Sequence, residues 1–180
     1  MDIREVSSQF FVAPQITETD LAVLQSKGIK SIICNRPDGE GADQPTFKEL
    51  SQTAQKMGIE MRYIPVSGGL VHDKDAADFN DALNTLPKPL LAYCRTGTRS
   101  ATLWSLAQAD QLPLADILSA TKKAGYDMKG VVRRIANGGK TPVDQSDASY
   151  DVVIVGGGAS GIAVAASLKA RKPGLEIVII

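Results

Sequence analysis

The heptapeptide CRTGTRS, Cys94 to Ser100, places a thiol, a glycine and two arginines directly after the apolar segment PLLAY. A cysteine at the end of a buried strand, followed by a loop of converging amides and then by a helix, sits in the positive field of that helix's N-terminus. That field favours the thiolate. Free cysteine titrates near about 8.5, and cysteines at helix N-termini or beside arginine fall to roughly 3.5–7.5. A drop of about three pH units requires roughly 4 kcal/mol, whereas a helix terminus supplies only about 0.3–2 kcal/mol. Other donors must contribute. The candidate set is Cys94 as nucleophile and Arg99 as a planar fork for an oxyanion. Arg95, Thr96, Gly97 and Thr98 form an anion-binding loop in which Gly97 takes positive φ and turns the N–H groups inward. Ser100 either donates its hydroxyl to the sulfur or caps the helix, and Arg95 is either a steering charge at the rim or a plain exposed side chain. The competing reading of Cys94 is a small core hydrophobe. Strand, cysteine, glycine loop, arginine and helix rarely coincide by chance.

Such a loop needs a sheet behind it. Apolar periodicity alternates strands with helices along most of the chain, which predicts an α/β unit with a mainly parallel central sheet. Expected strands are QFFVAPQI, SIIC, MRYIPV and PLLAYC, the last apolar enough to lie at the sheet's centre. Thr17 caps a helix over TETDLAVLQSKG, and Thr46 caps TFKELSQTAQKMG. KDAADFNDALNTL is stopped by Pro87, and SATLWSLAQAD, PLADILSATKKAG and YDMKGVVRRIAN are further helices. Trp104, with Leu103 and Leu106, reads as helix core.

Composition changes near residue 138. The polar stretch 138–149 reads as a linker, dividing the chain into a domain over 1–137, the linker, and a fragment over 150–180. In the fragment, YDVVIV is a strand, GGGASG a glycine loop, IAVAASLKARKPG a helix and LEIVII a strand. This is a truncated Rossmann βαβ segment in which Gly156, Gly158 and Gly161 fit a dinucleotide fingerprint. The chain is therefore expected to be an excerpt of a longer protein, the alternative being that the tail is extra structure of the first unit. The acidic residue that would grip the ribose is expected just past Ile180.

Residues 1 to about 140 resemble the bacterial phosphatase-like family found joined to β-lactamase-fold hydrolases or to flavoproteins, itself similar to dual-specificity tyrosine phosphatases. The segments CNRPDGEG, YIPVSGG and YCRTGTRSATLW carry the resemblance. It implies a protein-tyrosine-phosphatase-like, three-layer αβα fold, with Cys94 as nucleophile and Arg99 as the anion-binding arginine. Phosphatases of this fold place five residues between those two, whereas Arg95, Thr96, Gly97 and Thr98 make four. The shorter loop is similar to the active loop of rhodanese sulfurtransferases, whose cradle holds a persulfide. A phosphatase also needs a carboxylic acid to protonate the leaving oxygen. The loop after MRYIPV offers only Ser67, Gly68 and Gly69 where the fold normally places it. Asp73 and Asp75 follow, with helix capping as the alternative role, and Asp38 is either an acid or a turn residue. Some related phosphatases pair the nucleophile with a cysteine placed as Cys34 is, so Cys34 is either a resolving thiol or an inert buried one. Arg36 either braces the rim or is an exposed loop arginine. The segment YDVVIVGGGASGIAVAASLKA is similar to the opening of FAD flavoproteins related to sulfide:quinone oxidoreductases.

The expected function is a cysteine-dependent sulfurtransferase that passes sulfane sulfur through a Cys94 persulfide, from a small anionic donor such as thiosulfate to a thiol acceptor. The alternatives are a tyrosine or dual-specificity phosphatase and a catalytically silent anion-binding module regulating a flavoprotein. No cofactor is expected for residues 1–137, and FAD is expected only for a complete flavoprotein. Twenty basic and twenty acidic residues cancel, so no general attraction to nucleic acid is expected. No membrane segment or secretory signal is read, which predicts a cytoplasmic location. Two cysteines sixty positions apart and the single His72, read as an exposed loop residue rather than a base, give no metal-site spacing.

Overall fold

The alternation read from the sequence becomes two compact units, Met1–Pro142 and Val143–Ile180, in a computed structural model that describes residues 1–42, 44–68, 70–142, 151–155 and 158–179. The first unit is built on five strands: β1 (Arg4–Ser7), β2 (Phe10–Ala13), β3 (Ser31–Cys34), β4 (Glu60–Tyr63) and β5 (Leu90–Tyr93). They lie in the order β1-β2-β5-β3-β4. The four strands β2, β5, β3 and β4 pair in parallel, and β1 pairs antiparallel with β2. Every residue of β5 is buried, as an uninterrupted apolar run at the centre of a covered sheet requires.

Successive side chains of a strand face opposite sides, and the core divides accordingly. Leu91 and Tyr93 of β5 join Ile32, Leu21, Leu24, Leu50 and Ala54 beneath α1 (Glu18–Ser26) and α2 (Phe47–Lys56). Leu90 and Ala92 join Ile33, Phe79, Leu83, Leu103, Trp104 and Ile117. That second face is covered by α3 (Asp73–Thr85), α4 (Thr98–Ala107) and α5 (Leu114–Lys123). The result is a three-layer αβα domain. Its helix starts obey the capping chemistry expected of them: Glu49 N–H donates to the Thr46 hydroxyl at 3.3 Å, while Thr46 N–H donates back to the Glu49 carboxylate at 2.9 Å.

Two elements differ from the sequence reading. β1 was not distinguished, because a four-residue edge strand with one buried residue, Val6, carries no periodic signal. Its antiparallel pairing makes the sheet mixed, within the mainly parallel arrangement expected. YDMKGVVRRIAN does not form one helix. Lys129 N–H donates to the Asp127 carboxylate at 2.9 Å, a short 3-10 turn covers Lys129–Val131, and α6 is confined to Val132–Ala136. Gly130 inside the run weakens any continuous helix.

The second unit contains β6 (Val152–Ile154), α7 (Ala159–Arg171) and β7 (Ile177–Ile179), with β6 and β7 parallel. Gly158 stands at the N-cap of α7 and Gly161 is buried in its first turn. Gly156 and residues 143–149 of the expected linker lie outside the described residues, as does Ile180. Among the described residues, no helix is long and apolar enough to cross a membrane.

Phe79 is fully buried and meets the Phe10 ring edge-on at 6.0 Å between centroids. Phe79→Ala should lower unfolding free energy by about 3–5 kcal/mol in a urea titration, whereas Val23→Ala, at an exposed position of α1, should stay within about 0.5 kcal/mol of the parent.

Candidate active site

β5 delivers Cys94 to the C-terminal edge of the sheet, the edge at which open α/β sheets bind ligands. There the chain must turn into α4 within a few residues. The turn is made at Gly97, with φ +94° and ψ −20°, in the left-handed region. This conformation aims the Gly97 N–H at the Cys94 sulfur, with N to Sγ at 3.2 Å. A donor in that position stabilises negative charge on sulfur. Glycine is required for space as well, since a Cβ there would lie 2.1 Å from the Tyr126 hydroxyl oxygen. Cys94 itself is 1% exposed, so its sulfur forms the floor of the cradle rather than its rim.

The strand ends are fastened by Asn35, which is fully buried. Its N–H donates to the Tyr93 carbonyl at 2.8 Å and its amide nitrogen donates to the Ile64 carbonyl at 2.9 Å. Its amide oxygen accepts the Ser100 hydroxyl at 2.8 Å. Both roles considered for Ser100 are therefore corrected. The hydroxyl neither meets the sulfur nor caps α4, because the buried amide of Asn35 needs a donor and Ser100 faces it. Gln15 N–H, beyond β2, donates to the Arg95 carbonyl at 3.3 Å and ties down the first loop residue.

Arg99, in the first turn of α4, reaches across the opening. Its Nη1 donates to Glu40 Oε1 at 2.8 Å and to the Val66 carbonyl at 2.6 Å, and its Nη2 donates to Glu40 Oε2 at 2.7 Å. Arg36 Nε donates to the same Oε2 at 2.8 Å, and Arg36 Nη1 donates to Gln15 Oε1 at 3.0 Å. Of the two readings of Arg36, the bracing one matches this placement. Hydrogen bonding to Arg99 holds the Glu40 carboxyl below the usual carboxylate range, with a smaller contribution from Arg36. Burial works against the charge of Arg99, but the bonds to Glu40 and the charge of Cys94 outweigh it and keep its proton affinity above that of a free arginine.

An open cavity of about 330 Å³ lies at the mouth, lined by Glu40, Gly68, Arg95, Thr96, Thr98 and Arg99. Arg95 is exposed there, and the Thr96 and Thr98 hydroxyls are 3.2 Å apart. A larger cavity, about 460 Å³, is lined by Leu118, Lys122, Tyr126, Met128 and Val132 among others and includes neither an arginine nor any residue of the loop after β5. The smaller one is therefore the candidate site.

The carboxylates expected from sequence are elsewhere. Asp38 Oδ1 accepts from Phe47 N–H at 2.8 Å and thereby starts α2. Asp73 accepts from Arg134 Nη2 at 2.8 Å and from the N–H and hydroxyl of Thr141 at 2.9 and 2.7 Å. Asp75 accepts from His72 N–H at 2.8 Å at the start of α3, and His72 is exposed. Helix starts attract such acids because they leave N–H groups unpaired. Cys34 packs with Tyr93 and Leu50 on the α1 and α2 side, and its thiol donates to the Arg36 carbonyl at 3.3 Å. Burial pushes that thiol up to about 11, which suits an inert thiol better than a resolving one. Both cysteines are free. Sequence reasoning missed Glu40, Asn35 and Tyr126; Glu40 stands four residues after Arg36, but nothing local announces its partner 59 positions on.

Residues 2–111 match the family described as the phosphatase-like domain of beta-lactamase hydrolase-like protein. A beta-lactamase hydrolase-like protein from Agrobacterium fabrum is 32% identical over 130 residues, 71% of this chain and 30% of that protein. One from Xylella fastidiosa is 28% identical over 108 residues, 60% of this chain and 25% of that protein. The chain thus spans less than a third of the length of these curated relatives. Among solved structures, a proposed phosphatase from Neisseria meningitidis superposes with a TM-score of 0.69 at 32% identity, covering 77% of this chain and 99% of that one. Kinase associated phosphatase, at 16% identity and a TM-score of 0.59 over 76% of this chain and 91% of that one, shares the fold.

The placement of Asp73 makes it structural. The Thr141 bonds foremost, and Arg134 beside it, lower its carboxyl below the ordinary value of 3.8, so its contribution to stability is present above that pH and is lost as pH falls through the depressed value. Asp73→Asn should lower the melting temperature at neutral pH, with the deficit shrinking below about pH 4, and should leave turnover intact. Gly97→Ala, strained in φ and blocked by Tyr126, should abolish anion binding measured by calorimetry and cost about 1–3 kcal/mol of stability.

Proposed function

The chain belongs to the family of the phosphatase-like domain of beta-lactamase hydrolase-like protein, and from that premise we propose that its first unit is a cysteine-dependent phosphatase of the tyrosine or dual-specificity kind. The observation that carries catalysis is the Gly97 N–H directed at the Cys94 sulfur at 3.2 Å, at the start of a helix and beside Arg99. The Cys94 thiolate attacks the phosphorus of a bound monoester; the S–P bond forms, the P–O bond to the alcohol breaks, and the leaving oxygen keeps the electron pair and takes a proton from solvent water. Water then cleaves the S–P bond, releasing inorganic phosphate and restoring the thiol. Arg99 and the loop amides stabilise the charge that develops.

Sulfane sulfur transfer, the first expectation from sequence, becomes the second reading because the family and the similar folds are phosphatase-like. Two features of the site still favour it: only Arg95, Thr96, Gly97 and Thr98 separate Cys94 from Arg99, and Asp38 and Asp73 are committed elsewhere. In that reaction the thiolate attacks the outer sulfur of thiosulfate, the S–S bond breaks, and sulfite leaves with the electron pair. The resulting persulfide passes its outer sulfur to cyanide or a thiol. For the second unit we propose the beginning of an FAD-binding flavoprotein, related to those that oxidise sulfide. The parallel pair β6 and β7 around α7, with Gly158 at the helix start, fits a pyrophosphate cradle. The bound flavin would supply redox chemistry.

Parallel assays with an aryl phosphate and with thiosulfate plus cyanide separate the readings. The phosphate ester should show the higher kcat/KM, and Cys94→Ser should reduce kcat by about a thousandfold or more. A higher kcat/KM for thiosulfate would replace the phosphatase reading by sulfur transfer, and inactivity toward both with anion binding retained would make the unit a binding module.

A further inference from the structure

Tyr126 follows α5 and is fixed from both sides. Its N–H donates to the Thr121 carbonyl at 2.8 Å, and the Arg4 guanidinium from β1 lies over its ring, 5.2 Å from the centroid. Arg4 is itself tied down, donating to the Asp2 carboxylate at 2.9 Å and to the Ala124 carbonyl at 3.3 Å. Further on, Met128 is buried, and its sulfur accepts from the Thr102 hydroxyl of α4 at 3.8 Å. The ring so held sets its hydroxyl oxygen against Gly97, in the space where a side chain at that position would begin. Tyr126 is 6% exposed, and among the described residues that oxygen is buried with no hydrogen-bond partner. Buried polar groups are nearly always paired, and one left unpaired destabilises a fold through its lost hydration. Phenylalanine would fill the same site without that cost. What tyrosine adds is the oxygen in contact with Gly97, whose own N–H is directed at the Cys94 sulfur at 3.2 Å. Glycine resists rotation of its backbone less than any other residue, so the peptide that carries this donor needs a stop behind it.

We propose that Tyr126 is a positioning residue: its hydroxyl is a back-stop that keeps the Gly97 peptide from swinging away and so holds the Gly97 N–H on the Cys94 sulfur. The inference rests on the reading of that N–H as a stabiliser of the thiolate. The hydroxyl acts by contact and not by charge. Burial, against the opposing charge of Arg4, raises its proton affinity above that of an ordinary tyrosine, so it stays neutral.

The test is alkylation of Cys94 by iodoacetamide at about pH 7 and at about pH 9.5, either side of the value near 8.5 of a free cysteine. Sulfur forms a bond to carbon, iodide leaves with its electron pair, and peptide mass reads the site of modification. The thiolate is the reacting form, so the ratio of the rate at the lower pH to that at the higher reports how far the fold favours negative charge on sulfur. A change in access alone alters both rates alike. The ratio in the folded parent should exceed that of the same cysteine in the urea-unfolded chain. Tyr126→Phe should lower the folded ratio by about fivefold while its urea midpoint stays at or above the parent's, because an unpaired hydroxyl has been removed. An unchanged ratio overturns the back-stop and leaves the Gly97 donor standing. A lowered ratio accompanied by a lower urea midpoint, or a variant that does not fold, also overturns it, since the hydroxyl would then be serving the fold as a whole. If the folded parent's ratio does not exceed the unfolded one, the reading of the Gly97 N–H as a thiolate stabiliser falls, and the role of Tyr126 with it.

Discussion

A single backbone conformation governs this site. With Gly97 at positive φ, the chain leaves the central strand, closes over the Cys94 sulfur and enters α4 within four residues, carrying one N–H to 3.2 Å from that sulfur. Any other residue at this position would strain the backbone and collide with Tyr126. The loop has few internal bonds of its own, so its shape is imposed from outside. β5 fixes where it starts, α4 fixes where it ends, and Asn35 binds the ends of three strands and the first turn of α4 into one frame.

The mouth is governed by charge rather than by backbone. Gln15, Arg36, Glu40, Arg99 and the Val66 carbonyl form a continuous run of hydrogen bonds that draws on the segments after β2, β3 and β4. Charge-assisted bonds in a sheltered place are stronger than exposed ion pairs. Here their value lies less in stability than in geometry. The run leaves one face of Arg99 toward the cavity and leaves the carboxylate nearest the cradle committed to that arginine. This bears on both proposed chemistries, since phosphate ester cleavage benefits from an acid whereas in sulfur transfer sulfite departs readily.

The parts of this protein that repeat along the chain were legible in its sequence. The unbroken apolar run PLLAYC announced a central strand, Thr46 announced a helix start, and CRTGTRS announced a cradle with Cys94 and Arg99 in it. What depended on distant partners was not legible. Ser100 has the composition of a cap or a sulfur donor, and only the buried amide of Asn35, 65 positions away, decides its role. Asp73 and Asp38 resemble acids in a loop until Thr141 and the Phe47 N–H claim them. Glu40 sits in a turn-rich segment, and its partner Arg99, 59 positions on, is met only through folding.

Mass spectrometry of Cys94 after acid quenching tests the central claim most directly, using one sample mixed with an aryl phosphate and one mixed with thiosulfate. The account predicts that Cys94 gains a phosphoryl group in the first, or a single sulfur in the second, while Cys34 stays unmodified. Consumption of either substrate with Cys94 unchanged throughout, or an adduct found on Cys34 instead, would contradict it.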